Sequence, residues 1–134
     1  AEKGKGAWRN GERIRVSSVA ACENALVATG FPYEIARRVD EILKRIRPVL
    51  SSCQGVRRCG AAALDLAWTA CGRFDAFYED ELKPWDMAAG ALLVTEAGGT
   101  VSNLDGSPFA LRWSILAGNK AMHELIGNMI RSSQ

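Results

Sequence analysis

The chain has 134 residues, the size of one domain, enough to bury roughly two thirds of its unfolded surface. Hydrophobic residues make up 48% and charged residues 24%, the balance of a soluble globular protein; no apolar run approaches a membrane span, and the basic, polar start Ala1-Glu2-Lys3-Gly4-Lys5-Gly6 is not a signal peptide. A net charge of +2 is too small to argue for a nucleic-acid partner.

The chain opens without methionine, in a stretch that reads as a strand or hairpin, which suggests a piece of something longer. Gly6 to Ser17 predicts a hairpin: Asn10-Gly11 is a strong turn dipeptide, and Arg13-Ile14-Arg15-Val16 alternates polar and apolar. Asn24 to Thr29, with Ala25-Leu26-Val27-Ala28 closed by Gly30, reads as a buried strand. Pro32 then opens a helix with Ile35, Val39, Ile42, Leu43 and Ile46 on one face, stopping before Pro48. The other face holds Arg37, Arg38, Lys44, Arg45 and Arg47. Asp40 and Glu41 break that stripe and no aromatic interleaves it, so it reads as a solvated face rather than a nucleic-acid surface.

Gly55 to Cys59 is a second short strand candidate, leading into a helix from Gly60 to Gly72. The opening residues Gly60, Ala61 and Ala62 are all small. Their free N–H groups can meet a phosphate ester or a sugar hydroxyl, and small residues equally suit tight helix packing on a sheet; the pattern does not choose. Arg73 to Glu79 alternates and is rich in aromatics, which predicts a strand with Glu79 at its end, before a loop Asp80-Glu81-Leu82-Lys83. Ligands bind beyond the carboxyl ends of strands in α/β folds, but the pattern alone does not separate Glu79 from Asp80 and Glu81.

Lys83-Pro84-Trp85-Asp86-Met87-Ala88-Ala89-Gly90 begins the next helix, with Pro84 in its first turn and Gly98 as its stop. Trp85, Ala88, Ala89, Leu92 and Leu93 recur at the spacing of a single apolar face. Asp86 lies in the first turn, where the helix dipole keeps a carboxylate ionised, and small residues follow it. A fixed, charged, uncrowded carboxylate of this kind suits a metal ligand at the floor of a cleft, as well as a plain N-terminal helix charge. Thr100-Val101-Ser102 and Ser114 to Ala117 read as strands, with a turn at Asp105-Gly106. Asn119 caps a last helix with Met122, Leu125, Ile126, Met129 and Ile130 on one face, leaving His123 off the stripe at the surface.

Cys22, Cys53, Cys59 and Cys71 form no Cys-x-x-Cys pair, and His123 is the single histidine, so a zinc site has no support. Free thiols are expected, with Cys59 and Cys71 in the core.

Trp85-Asp86-x-Ala88-Ala89-Gly90 followed by Glu96-Ala97-Gly98-Gly99 resembles the C-terminal signature of the inositol monophosphatase family, metal-dependent, lithium-sensitive phosphatases of small phosphorylated molecules. Gly4-Lys5-Gly6-Ala7-Trp8-Arg9-Asn10-Gly11, Gly60-Ala61-Ala62 and Phe77-Tyr78-Glu79 keep that family's order and spacing, so the resemblance covers nearly the whole chain. It implies a layered α/β/α domain with a mixed sheet of about five strands, and residues 1–134 as the C-terminal half of an enzyme about twice as long. By the same resemblance, Asp86 is catalytic, a Mg²⁺ ligand that also approaches the substrate. Glu79 accepts a hydrogen bond from a substrate hydroxyl, and Gly60, Ala61 and Ala62 line the pocket through backbone groups. Ala61 stands where many members have threonine or serine, which puts the substrate's identity in question.

The family's other metal motif, Asp-Pro-Ile/Leu-Asp-Gly-Thr with a preceding metal-binding Glu, is not in this sequence. The resemblance therefore implies half of a Mg²⁺ site, inactive until joined by an N-terminal half, with a small phosphorylated polyol, inositol monophosphate first, as substrate. Fructose-1,6-bisphosphate, histidinol phosphate and nucleotide 3′-phosphate are the alternatives, and a non-catalytic assembly module of the same fold is the alternative class. The resemblance further implies a cytoplasmic protein, or one of an organelle stroma. The uncovered face of a lone half is expected to be apolar and to drive self-association.

Overall fold

The computed structural model describes residues 1–133. Its centre is a mixed five-stranded sheet built from the short apolar runs of the sequence: β3 (Leu26–Thr29), β4 (Gly55–Arg57), β5 (Ala76–Leu82), β6 (Thr100–Ser102) and β7 (Trp113–Gly118). The order across the sheet is β4-β3-β5-β7-β6. β4 and β5 run parallel to β3 on its two sides, and β7 is antiparallel to β5 and to β6. A separate hairpin of β1 (Trp8–Arg9) and β2 (Glu12–Arg13) turns at Asn10-Gly11.

Alternation along the strands decides which helix covers which face. Ala28, Phe77, Ile115 and Ala117 point to one side and pack under α2 (Ala62–Ala70) and α3 (Pro84–Glu96). Val27, Ala76, Tyr78 and Leu116 point to the other and pack under α1 (Ile35–Ser52) and α4 (Lys120–Arg131). The result is an α/β/α domain. The Glu96 carboxylate at the end of α3 accepts hydrogen bonds from the Gly4 and Gly6 amides at 2.7 and 2.8 Å, which ties the N-terminal loop to the domain.

Several elements depart from the sequence reading. α1 starts at Ile35 rather than Pro32 and runs through Pro48 to Ser52; its irregular residue is Arg38, at φ −127° and ψ 15°. Burial of Val49 holds the turn beyond the proline in place, although Pro48 lacks an N–H to donate. β5 begins at Ala76 rather than Arg73 and extends to Leu82, across a bulge between Asp80 and Leu82. α3 buries Met87, Gly90, Ala91 and Val94, while Trp85, Ala88 and Ala89 face outward. Leu125 on α4 is also exposed. His123 is half-buried, its Nε2 2.9 Å from Ser102 Oγ. All four cysteines are free; Cys59 is exposed and Cys71 half-buried rather than core.

Gly90 sets the α2–α3 spacing. A Cβ there would lie 2.4 Å from Leu66 Cβ and 2.5 Å from Leu66 Cδ1, and Leu66 is fully buried. Gly90→Ala gains helix propensity worth about 1 kcal/mol but forces two packed helices apart, a cost of about 1–3 kcal/mol. The expected result is net destabilisation, seen as a lower urea midpoint. A raised midpoint would show that the helices have room to give.

Candidate active site

β3 is followed by α1 on one face of the sheet, and its neighbour β5 by α3 on the other. The chain therefore parts at the carboxyl ends of these two strands, the place where open α/β sheets form ligand clefts. A cleft of about 510 Å³ lies there. Its walls are the segment after β3 (Gly30 to Tyr33, with Ile35), the turn after β4 (Arg58, Gly60, Ala61, Ala62), and the end of β5 running into α3 (Glu79 to Lys83, Trp85, Asp86). Gly60, Ala61, Ala62, Glu79 and Asp86, singled out from the sequence on three separate elements, line this one cleft.

Asp86 is placed by its own helix turn. Its Oδ2 accepts a hydrogen bond from the Lys83 amide at 2.9 Å, and its amide donates to the Lys83 carbonyl at 2.9 Å. One carboxylate oxygen is used in capping α3, and the side chain stays half-exposed in the cleft. As a hard anionic oxygen donor on a rigid helix turn, Asp86 fits one position of a Mg²⁺ coordination shell. No group of three or more His, Cys, Asp or Glu among the described residues is arranged to hold a metal ion. The donor set thus fits one corner of a Mg²⁺ site rather than a whole one.

Glu79 lies over the backbone of Gly30. A Cβ at Gly30 would sit 2.0–2.2 Å from the Glu79 carboxyl atoms, so only glycine leaves the carboxylate its place. Burial pushes the Glu79 pKa up to about 7; Asp65, Asp80 and Asp86 push the same way, and the Arg58 guanidinium opposes them. Asp65, in the first turn of α2, is buried at 1% exposure. Burial raises its proton affinity against the opposing Cys59 thiol and Arg58 charge, and neither of its carboxylate oxygens has a geometrically sound hydrogen-bond partner. Asp65, Gly30, Arg58 and Lys83 are residues at or beside the site that the sequence reading did not single out. The signal for Asp65 was an acid inside the apolar run Ala62 to Ala67. Nothing local marked Gly30, because its neighbour Glu79 is far away in sequence.

The raised Glu79 pKa has a consequence for stability. Between the ordinary carboxylate value of 4.5 and 7, the folded chain holds a proton that the unfolded chain has released. Stability therefore falls as pH rises through that window, by up to about 3 kcal/mol. Glu79→Gln should flatten this slope in the metal-free chain, so that urea midpoints at acid and alkaline pH converge. His123, whose proton affinity burial lowers, gives the opposite slope in both proteins, so equal pH slopes in wild type and Glu79→Gln would show that Glu79 titrates normally.

α2 opens at Ala61, on the wall of the cleft, with no side-chain cap, so its first amides have no side-chain partner there. Two cations join the acids: Arg58, whose guanidinium lies 5.7 Å from the Phe31 ring centroid, and Lys83, whose ammonium lies 5.1 Å from that of Trp113. Carboxylates, a helix start and two cations thus surround one opening.

The model of the inositol monophosphatase family matches residues 1–134. The chain belongs to the inositol monophosphatase family. Among curated members, it is 50% identical to the Nus factor SuhB of Pseudomonas aeruginosa, over 89% of this chain and 45% of that protein. It is 43% identical to the inositol-1-monophosphatase of Caulobacter vibrioides, over 98% of this chain and 53% of that one. Among solved inositol monophosphatase folds, that of the Anabaena enzyme superposes with a TM-score of 0.91 at 38% identity, covering 96% of this chain and 52% of its own. This family member thus spans about half the length of the curated relatives it matches.

Proposed function

We propose that residues 1–134 form the C-terminal half of a Mg²⁺-dependent phosphomonoesterase that hydrolyses a small phosphorylated polyol, with inositol monophosphate as the first candidate. The observation that carries this reading is the convergence of Asp86, Glu79 and the Gly60–Ala62 turn on one cleft at the strand ends. The 43% identity to a protein named inositol-1-monophosphatase supports the substrate class.

In this reading Asp86 provides one carboxylate oxygen to Mg²⁺. The ion, when bound, activates water and neutralises charge on the phosphate. Glu79, buried against Gly30, accepts a hydrogen bond from a substrate hydroxyl and so sorts polyols by hydroxyl position. Gly60, Ala61 and Ala62 line the substrate pocket through backbone groups. Ala61 presents no hydroxyl, which leaves this contact to the backbone.

The rest of the site comes from an N-terminal half, and the outward face of α3 supports this. Trp85 is 77% exposed, and beside α2 an apolar groove runs between Trp8, Ile14, Leu64, Trp68 and Leu93. Surfaces of this kind are covered in stable proteins. We propose the N-terminal half as the cover in the complete protein, and self-association as the outcome for this half alone. No helix among the described residues is long and apolar enough to cross a membrane, and we propose a cytoplasmic location.

A second reading, a non-catalytic assembly module of the same fold, is favoured by the name Nus factor carried by the relative at 50% identity. Phosphate release from inositol monophosphate, fructose-1,6-bisphosphate, histidinol phosphate and a nucleotide 3′-phosphate, with and without Mg²⁺, separates the two. Release from none of them by the complete protein would leave the assembly reading.

A further inference from the structure

Two arginines and three carboxylates join the first turns of α1 to the end of β5. Arg38 Nη2 lies 2.7 Å from Asp80 and its Nη1 2.6 Å from Glu81, while Nε and Nη2 reach the two Glu41 oxygens at 2.8 and 2.6 Å. Arg45 binds Asp80 at 2.5 Å and also pairs with Glu41. The central members are largely withdrawn from water, at 22% side-chain exposure for Arg38 and 15% for both Arg45 and Asp80. The hydrogen bonds from Arg38 hold the Glu41 carboxyl below the usual carboxylate range.

The backbone is bent to make these contacts. Arg38 is the residue at which α1 leaves helical geometry, and Glu81 takes a left-handed φ of 57°, a conformation that costs a residue with a Cβ about 1–2 kcal/mol. Such strain persists where surrounding contacts over-determine it, and here they include the Arg38–Glu81 pair.

Asp80 and Glu81 belong to the wall of the cleft, with Glu79 and Asp86. Uncompensated, they would add two negative charges to an opening whose proposed ligand is a phosphate dianion. Arg38 touches both. We infer that Arg38 is a positioning residue of the phosphate site: it draws Asp80 and Glu81 toward α1 and neutralises them, so that an anionic ester can enter between Glu79 and Asp86. The inference rests on the proposed phosphomonoesterase reading. Arg58 and Lys83 stand on the same cleft, but neither pairs with Asp80 or Glu81 among the described residues, so the compensation falls to Arg38 and Arg45.

The test uses the complete protein and two measurements, KM and kcat for inositol monophosphate with Mg²⁺, and the dissociation constant of inorganic phosphate with Mg²⁺. Arg38→Met should raise both KM and the phosphate constant about tenfold at low ionic strength, with kcat changed much less, and the effect should shrink as salt is added. Adding Asp80→Asn and Glu81→Gln to Arg38→Met should return both constants close to wild type, a rescue that a merely structural role for Arg38 does not predict. The Asp80→Asn/Glu81→Gln protein with Arg38 intact should bind phosphate more tightly than wild type. Loss of kcat at constant KM, or a triple variant as poor as Arg38→Met, overturns the inference. Should Arg38→Met fail to fold, the Asp80→Asn/Glu81→Gln protein decides, and phosphate binding there no tighter than wild type also overturns it. A wild-type protein that binds phosphate in this Arg38-dependent way yet releases none from any ester would sink the enzymatic reading and leave the role of Arg38 standing.

Discussion

Asp86→Asn in the complete protein should lower Mg²⁺-dependent phosphate release by about 100-fold or more while leaving the fold intact. The fold survives because the asparagine carbonyl oxygen can still accept the Lys83 amide, the contact that Asp86 Oδ2 makes at 2.9 Å from the third position of α3. What is lost is a full negative charge beside a divalent cation. Even at an effective dielectric of about 20, one unit-charge pair at about 4 Å is worth about 4 kcal/mol, and each 1.4 kcal/mol is a factor of about ten in rate. The Mg²⁺ concentration for half-maximal activity should rise as well, since an amide oxygen is a poorer ligand for a hard cation. Glu79→Gln is the contrast: its proposed partner is a hydroxyl, so Mg²⁺ dependence should hold while the ranking among phosphorylated polyols changes. Full activity in Asp86→Asn would remove Asp86 from the site.

The order of elements was legible because strands and helices alternate and their ends carry strong punctuation. Asn10-Gly11 turns the hairpin, Asn119 caps α4 by accepting from the Met122 amide at 2.9 Å, and a positive φ at Gly98 follows α3. α3 shows where periodicity stops being informative. Met87, Gly90, Ala91 and Val94 repeat at i, i+3, i+4 and i+7, and so do Trp85, Ala88, Ala89 and Leu92. With both faces apolar, the pattern names no inner side. The choice is made by Gly90, because α2 presses Leu66 onto it, and that contact belongs to the tertiary structure. β5 outran its expected end for a related reason: Asp80 and Glu81 read as a loop, but Arg38 and Arg45 from α1 pair with Asp80, which stays in the ladder with β7, and Arg38 also holds Glu81 at the bulge before Leu82.

The candidate site divides in the same way. Asp86 and the Gly60–Ala62 turn sit at helix starts, where sequence signals are strongest, and both reach the cleft. Glu79 could not be separated from its acidic neighbours by pattern. The fold separates them: Glu79 is buried over Gly30, whereas Asp80 and Glu81 are held by arginines. Asp65 carried a local signal, an acid inside an apolar helical run, but its burial comes from packing that the run alone does not show.

The 134-residue chain by itself should release no phosphate above background. Mg²⁺ prefers six oxygens in near-octahedral geometry, and this chain brings one carboxylate to the cleft in a position to provide them. No cluster of three candidate ligands exists among the described residues to supply the remainder. The nearby acids do not fill the gap: Asp80 and Glu81 are engaged by Arg38, and burial raises the proton affinity of Glu79, which weakens it as a ligand for a hard cation. Water activation and leaving-group stabilisation both need cations held from more than one side. The chain spans about half the length of its curated relatives, and under the proposed function the complementary groups lie in an N-terminal half. Supplying that half as a separate polypeptide should restore Mg²⁺-dependent release in proportion to complex formed, while burying the exposed apolar surface around Trp85 and Leu64. Tryptophan fluorescence and phosphate release, followed in one titration, would read both events. Turnover by the 134-residue chain alone, sensitive to Asp86→Asn, would show that a complete catalytic site lies within it.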